Sequence, residues 1–326
     1  MPEQVLENVY RIRIGLPNSP LKVLNSYFLK GEPRNLLIDT GFRHPDCKAA
    51  MRSALRELGA DMADTDILLT HLHADHSGLA SEIAAPETRI FISRREIPWM
   101  SGDTRREIWD GDTRRMLASG FPPEEAYDER TFVTSRAMAS DPTFSRYLPI
   151  DEGDTFSCGG YTLRAICTPG HTPGHMCFWM EEQKTLFAGD HVLFDITPNI
   201  TVWHGLDDAL GAYLDSLRKI DACDARLVLP GHREPGELHE RIKTLIAHHE
   251  NRLDECFAVV CQNPGATAYE LASKMSWKVR CSSWNEFPIN QKWFAVGECH
   301  SHLRHLEALG KVKAEPDGEL FRYRAV

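Results

Sequence analysis

Thr70-His71-Leu72-His73-Ala74-Asp75-His76 follows directly on the apolar run Ile67-Leu68-Leu69, and it restricts the fold more narrowly than any other stretch of the chain. The apolar run is too short for a helix and suits a buried strand. On an extended backbone residues i and i+2 share a side, so His71 and His73 point together, while a turn after them carries Asp75 and His76 to a neighbouring point. Imidazole nitrogens and a carboxylate are the donors expected for zinc or a similar borderline ion, and this placement suits two ions better than one. Three further segments follow strand-like sequence: Thr168-Pro169-Gly170-His171-Thr172-Pro173-Gly174-His175, Phe187-Ala188-Gly189-Asp190-His191 and Leu227-Val228-Leu229-Pro230-Gly231-His232. Seven of the fifteen histidines fall in these four segments, which together hold enough donors for two ions and a bridging carboxylate.

The order of elements fits that reading. Short β-branched and aromatic runs at Val9–Ile14, Leu24–Leu29 and Asn35–Ile38 predict a strand meander. Helical spacing over Asp46–Leu58 ends at Gly59. The strand before His71, a helix starting near Ser77 and a strand at Thr88–Ser93 come next. Strands are then expected at Thr155–Cys158, Tyr161–Cys167, Met176–Met180 and Thr185–Ala188, then a helix from about Asp207 to Ile220, a strand at Arg226–Leu229 and a long helix from about Gly236 to Val260. Two such halves suit an α/β fold of two facing sheets with helices outside, a four-layer αββα sandwich. Between the halves, about residues 95–147, the sequence becomes rich in Arg, Glu and Asp and predicts a helical insertion, either a lid over the metal cleft or a surface ornament. Residues 251–326 predict helix, helix and hairpin, a small winged-helix-like domain after a catalytic domain of residues 1–250; its Trp284, Phe287 and Trp293 are read as core.

Charge narrows the partners. The chain carries 37 Lys and Arg against 47 Asp and Glu, a net −10, and residues 251–326 hold ten against nine. Affinity for nucleic acid comes from basic groups neutralising phosphates, so this balance argues against a nucleic-acid partner and favours a packing or homodimer role for the C-terminal module. No window is apolar enough to span a membrane, the start resembles no secretion signal, and nine scattered cysteines without a CxxC indicate reduced thiols, so a cytoplasmic location is expected.

The segments THLHADHSG, TPGHTPGH, FAGDH and LVLPGH occur in an order and at separations that resemble the metallo-β-lactamase superfamily over roughly residues 5–250. Within it the chain looks most like the glyoxalase II-like hydrolases with a C-terminal winged-helix-like extension. The resemblance implies two zinc ions, with iron or manganese as alternatives: one held by His71, His73 and His171, the other by Asp75, His76 and His232, with Asp190 bridging. His175 matches a supporting position, and Asp39 matches a turn near the site. His191 departs from the residue usual after the bridging Asp, and is expected either to meet substrate or to pack. The activity implied is attack by a dinuclear-metal-bound hydroxide, oriented by Asp75 as the catalytic carboxylate, on a small-molecule thioester of acyl-CoA or hydroxyacylglutathione type. Alternatives are a lactonase, a metal-dependent ribonuclease and an iron-dependent persulfide dioxygenase.

Overall fold

The computed structural model describes residues 1–126, 137–279 and 281–326; residues 127–136 of the expected insertion lie outside this range. Seven strands form the first sheet in chain order: β1 (Glu3–Leu6), β2 (Val9–Gly15), β3 (Val23–Leu29), β4 (Asn35–Ile38), β5 (Thr65–Leu68), β6 (Ile90–Ser93) and β7 (Tyr147–Ile150). The first four are an antiparallel meander, and β4 to β7 run parallel. The second sheet contains β8 (Thr155–Cys158), β9 (Tyr161–Cys167), β10 (Met176–Met180), β11 (Thr185–Gly189) and β12 (Leu227–Pro230), ordered β12-β11-β10-β9-β8 with only β11 and β12 parallel.

The strand period of two sorts the side chains into layers. Leu36, Ile38 and Leu68 of the first sheet meet Met176, Phe178 and Phe187 of the second in the core between the sheets. Their neighbours Leu37 and Ile67 face outward against the helix Pro45–Glu57, with Cys47 and Met51. Cys177, Trp179, Leu186 and Ala188 face the other way, against the helices Ala209–Asp221 and Leu238–Gln262. The result is the four-layer αββα sandwich that the two half-patterns predict.

Two strands were not legible in the sequence. β1 is a short edge strand beside β2. β7 carries Pro149, which lacks a donor and is tolerated because β7 closes the other edge of the sheet.

The connection from β6 to β7 contains the helices Ile97–Met100, Gly102–Ala118 and Pro123–Ala126. At the C-terminal end, the helices Ala268–Ala272 and Ile289–Ala308 are followed by a hairpin of β13 (Val312–Asp317) and β14 (Leu320–Ala325). Phe287 is buried there, and Trp284 and Trp293 pack against the same core.

Residue 250 is not a structural boundary: the helix Leu238–Gln262 runs through it unbroken. Leu271, Val296, Leu303 and Tyr323 share one apolar cluster with Leu210, Tyr213 and Leu245. Polar ties cross the same junction, from Ser301 Oγ to the Ile200 carbonyl at 2.9 Å and from His305 Nδ1 to Asp208 Oδ2 at 2.9 Å. A chain ending at residue 250 is therefore expected to expose this cluster and to aggregate or bind a hydrophobic dye. A soluble truncated chain with the full-length melting temperature would instead make residues 251–326 an independent domain.

Candidate metal centre

Carboxyl ends of strands from both sheets converge at one seam, and each supplies a piece of the site. β4 leads into Asp39, β5 into Thr70, His71 and His73, β9 into the 168–175 turn, β11 into Asp190, and β12 into His232. Hydrogen bonds hold the seam closed: Met176 N–H donates to the Thr70 carbonyl (2.8 Å), Asn25 N–H to the Gly231 carbonyl (2.7 Å), and Tyr27 Oη to the Pro230 carbonyl (2.8 Å).

Three donor groups lie within 4.8 Å of one another in each case: His71, His73 and His171; His71, His76 and Asp190; and Asp75, His76 and His232. The first and third are the two ligand sets implied by the resemblance, and Asp190 lies between them. Its Oδ1 is 3.4 Å from His76 Nε2, while its Oδ2 is 3.8 Å from His171 Nε2 and 3.5 Å from His232 Nε2. Two nitrogens bound to one tetrahedral zinc lie about 3.3 Å apart, given Zn–N distances of about 2.0–2.1 Å. His71 Nε2 and His73 Nδ1 are 3.0 Å apart, and His76 Nε2 and His232 Nε2 are 3.3 Å apart. His171 Nε2 and Asp190 Oδ1 are buried without a hydrogen-bond partner among the described residues. Two such donors, aimed into a cluster of four more imidazoles and a carboxylate, fit a pair of divalent cations.

The nitrogens that face away from the cluster are anchored, which fixes ring orientation and tautomer. Asp39 receives His76 Nδ1 at 2.7 Å, and the same carboxylate accepts from the backbone and hydroxyl of Thr70, both at 2.8 Å. Thr70 Oγ1 lies 2.9 Å from His71 Nδ1. His171 Nδ1 donates to the Asn199 carbonyl at 2.9 Å, and His232 Nδ1 to the Val23 carbonyl at 2.7 Å. His175 stands behind the cluster, its Nε2 accepting the Asp190 backbone N–H at 3.1 Å and its Nδ1 2.8 Å from Thr168 Oγ1. Asp39 is thus an orienting carboxylate, held at φ 58° by these bonds.

Of the two places expected for His191, the structure gives the packed one and not the substrate-facing one. Its ring is fully buried, 6.0 Å from His175 and 5.2 Å from Tyr213, on the helical side of the sheet.

Burial and charge act in opposite directions on the donors. Burial pulls His71 well below the usual histidine range, and the neighbouring imidazoles add to it, so His71 is a neutral donor. For His76 burial also lowers, but Asp190, Asp39 and Asp75 outweigh it and hold the ring well above its ordinary value. Burial would raise Asp75, yet His76 and His232 bring it down to about 2.

A residue with no sequence signal supports this arrangement. Glu96 is fully buried, and its Oε1 accepts from the Gly174 backbone at 3.0 Å and from the Thr172 hydroxyl, bracing the turn that carries His171 and His175. Burial lifts its carboxyl to about 7, against the lowering effect of those two bonds. The sequence assigns no role to Thr70, which lies inside the THLHADHSG segment, to Asn199 or to Trp203.

Comparison with known proteins decides the family: residues 21–232, most of the chain, match the profile described as metallo-beta-lactamase superfamily. The chain belongs to the metallo-beta-lactamase superfamily. Among superfamily structures, it is similar to a crystal structure of a metallo-beta-lactamase family protein from Thermus thermophilus, with TM-score 0.82, 29% identity, and coverage of 99% of this chain and 100% of that one. The C-terminal helices and hairpin therefore lie within the shared fold. It is 29% identical to the lactamase-like protein adaB of Aspergillus niger over 79% of this chain and 65% of that protein, so it spans just under two thirds of that relative's length. It is also 25% identical to the beta-lactamase-like protein 2 homolog of Caenorhabditis elegans over 82% of this chain and 77% of that protein.

Two outcomes follow from this geometry. Gly189 adopts φ 50°, and a Cβ there would lie 2.6 Å from His175 Nε2 and 2.9 Å from Thr70 Cβ. Gly189→Ala is expected to cost about 1–3 kcal/mol in denaturant unfolding and to lower metal content by elemental analysis, whereas a wild-type result in both would remove the close approach as a constraint. Because the folded-state pKa of Glu96 is raised from 4.5, its contribution to stability is full below about 4.5 and is lost as pH rises through about 7. Glu96→Gln stays neutral, so its stability relative to wild type should grow between pH 5 and 8 by about 3 kcal/mol at most; parallel unfolding curves across that range would contradict this.

Proposed function

We propose that this chain is a dinuclear metal-dependent hydrolase that cleaves a thioester or a related activated ester, with zinc as the metal pair. The observation that carries the reading is the pair of donor triads sharing Asp190, three imidazoles on one side and Asp75 with two imidazoles on the other. His71, His73 and His171 would hold one ion and Asp75, His76 and His232 the second. A bound pair supplies a water nucleophile near neutral pH and an electrophile for the carbonyl oxygen.

The chain's own groups do the positioning. Asp75 is a deprotonated carboxylate with its Oδ2 3.3 Å from His232 Nε2, and it is slightly exposed where the fully buried His76 and His232 are not. It is placed to orient the attacking water and to accept its proton. Asp39, Thr70 and the Asn199 and Val23 carbonyls hold the imidazoles in the tautomers that leave a lone pair facing inward. Trp203 lies 5.8 Å from His73 and forms an aromatic wall on that side of the cluster. An activated ester needs little more than this, because its leaving group departs without strong acid assistance.

Elemental analysis of protein purified without added metal is expected to give two zinc ions per chain. A hydrolysis panel of acyl-CoA and glutathione thioesters, lactones, a β-lactam and single-stranded RNA is expected to show thioester turnover first. Asp75→Ala should lower kcat about 100-fold or more at full metal occupancy. One iron per chain with oxygen uptake on a persulfide, or RNA cleavage alone, would overturn the reading.

A further inference from the structure

A groove of about 730 Å³ opens beside the metal centre, and nothing in the hydrolytic reading yet uses it. Its inner end is formed by Pro173, from the turn between His171 and His175, and by Trp99. Trp99 packs edge-on against Trp203 at 5.1 Å, and Trp203 in turn lies 5.8 Å from His73, so the two indoles form one aromatic wall from the groove to a donor of the cluster. The Trp203 Nε1–H is buried with no acceptor among the described residues.

The outer end is cationic. Arg95 and Arg114 line it, both exposed, and neither guanidinium forms a hydrogen bond or ion pair with a described residue. Arg11, Arg34, Arg89, Arg94 and Arg252 by contrast reach carboxylates, so the positive charge of Arg95 and Arg114 is not neutralised by a described partner. Glu107 is the lining carboxylate, so the two arginines leave the groove net positive. The backbone also makes room. Gly111 sits inside the helix Gly102–Ala118, where glycine is unfavourable, and a Cβ added there would meet only Arg114 Nη2 at 3.9 Å. A longer side chain at this position would project into the groove rather than into the protein.

We propose that this groove is the subsite for an anionic group of the substrate, a phosphate or carboxylate on a chain that runs from the metal centre along Trp99 to Arg95 and Arg114. Guanidinium groups recognise both anions through charge-assisted, bidentate hydrogen bonds, and the apolar wall of Trp99 and Ile108 takes the intervening arm. The proposal rests on the hydrolysis of an activated acyl compound and narrows its substrate to one that carries a negative charge away from the scissile bond.

Calorimetric titration of the full-length protein with coenzyme A, pantetheine and glutarate separates the sources of the anion. Coenzyme A and pantetheine share the thiol arm and differ in the phosphates, while glutarate offers a carboxylate alone. A phosphate source predicts that coenzyme A binds about tenfold or more tightly than pantetheine; a carboxylate source predicts measurable glutarate binding. In either case the Arg95→Ala/Arg114→Ala double variant should lose about tenfold for the charged probe and leave pantetheine unchanged. Gly111→Leu should weaken the same probe while its melting temperature stays at or above wild type. Equal affinity for coenzyme A and pantetheine with no glutarate binding, or variants that leave every Kd unchanged, would overturn the proposal. Hydrolysis measured in parallel keeps the two readings apart. Anion binding without turnover of any activated ester would sink the reaction and leave the groove, whereas thioester turnover with kcat/KM indifferent to charge and to both arginines would sink the groove alone.

Discussion

Everything in this protein depends on keeping a polar cluster dry without leaving its outward-facing atoms unpaired. His71, His76, His175 and His232 are fully buried, with Asp75, His171 and Asp190 nearly so, at the seam of two apolar sheets. Groups of this kind are costly to bury unless each finds a partner. The structure meets that cost on the outer side of each ring, through Asp39, Thr70, Thr168 and the carbonyls of Val23 and Asn199. On the inner side the donors face one another, which is the arrangement a cation pair stabilises. Asp39 is the keystone, because one carboxylate joins the end of β4 to Thr70 beyond β5 and to His76 on the following turn.

This requirement reaches far from the seam. The Asn199 carbonyl that orients His171 belongs to a segment whose Ile200 carbonyl is held by Ser301, on the long C-terminal helix Ile289–Ala308. That helix also meets the connection between β6 and β7, with Ser119 Oγ 3.0 Å from His300 Nδ1 and Lys292 paired to Glu125 at 2.8 Å. The C-terminal residues therefore help to support the metal loop through packing and a short chain of hydrogen bonds. Their near-neutral charge fits a role inside the molecule.

Charge looks different at the two scales. Summed over the chain, the acidic balance speaks against a polyanion partner. Locally, Arg95 and Arg114 face one groove beside the centre, with Glu107 as its lining carboxylate. An acidic protein can thus present a small positive mouth, because electrostatic recognition of a small anion depends on a few angstroms of surface rather than on the net charge.

Most of the site was legible because its chemistry is local in sequence. His71 and His73 share a strand side, Asp75 and His76 sit on the next turn, and the Gly-Asp and Gly-His ends of strands leave characteristic short motifs. The alternation of apolar residues likewise fixed the two sheets, with β1 and the proline-bearing edge strand β7 as the exceptions. What escaped were residues whose role is set by what packs on them. Glu96, in an Arg-Arg-Glu stretch that reads as exposed, is buried against the 172–174 turn. For His191 the sequence left substrate contact and packing open, and the ring turns to the opposite side of the sheet from Asp190 because adjacent residues at a strand end diverge. The limit of the first unit at residue 250 dissolved in a continuous helix, since the same apolar face serves both portions. The sequence by itself determined which donors exist and on which strand ends they stand. Only the tertiary structure decided which of them share a point, which are buried behind it and which open onto the groove, because those outcomes depend on how two sheets and their outer helices exclude water from one seam.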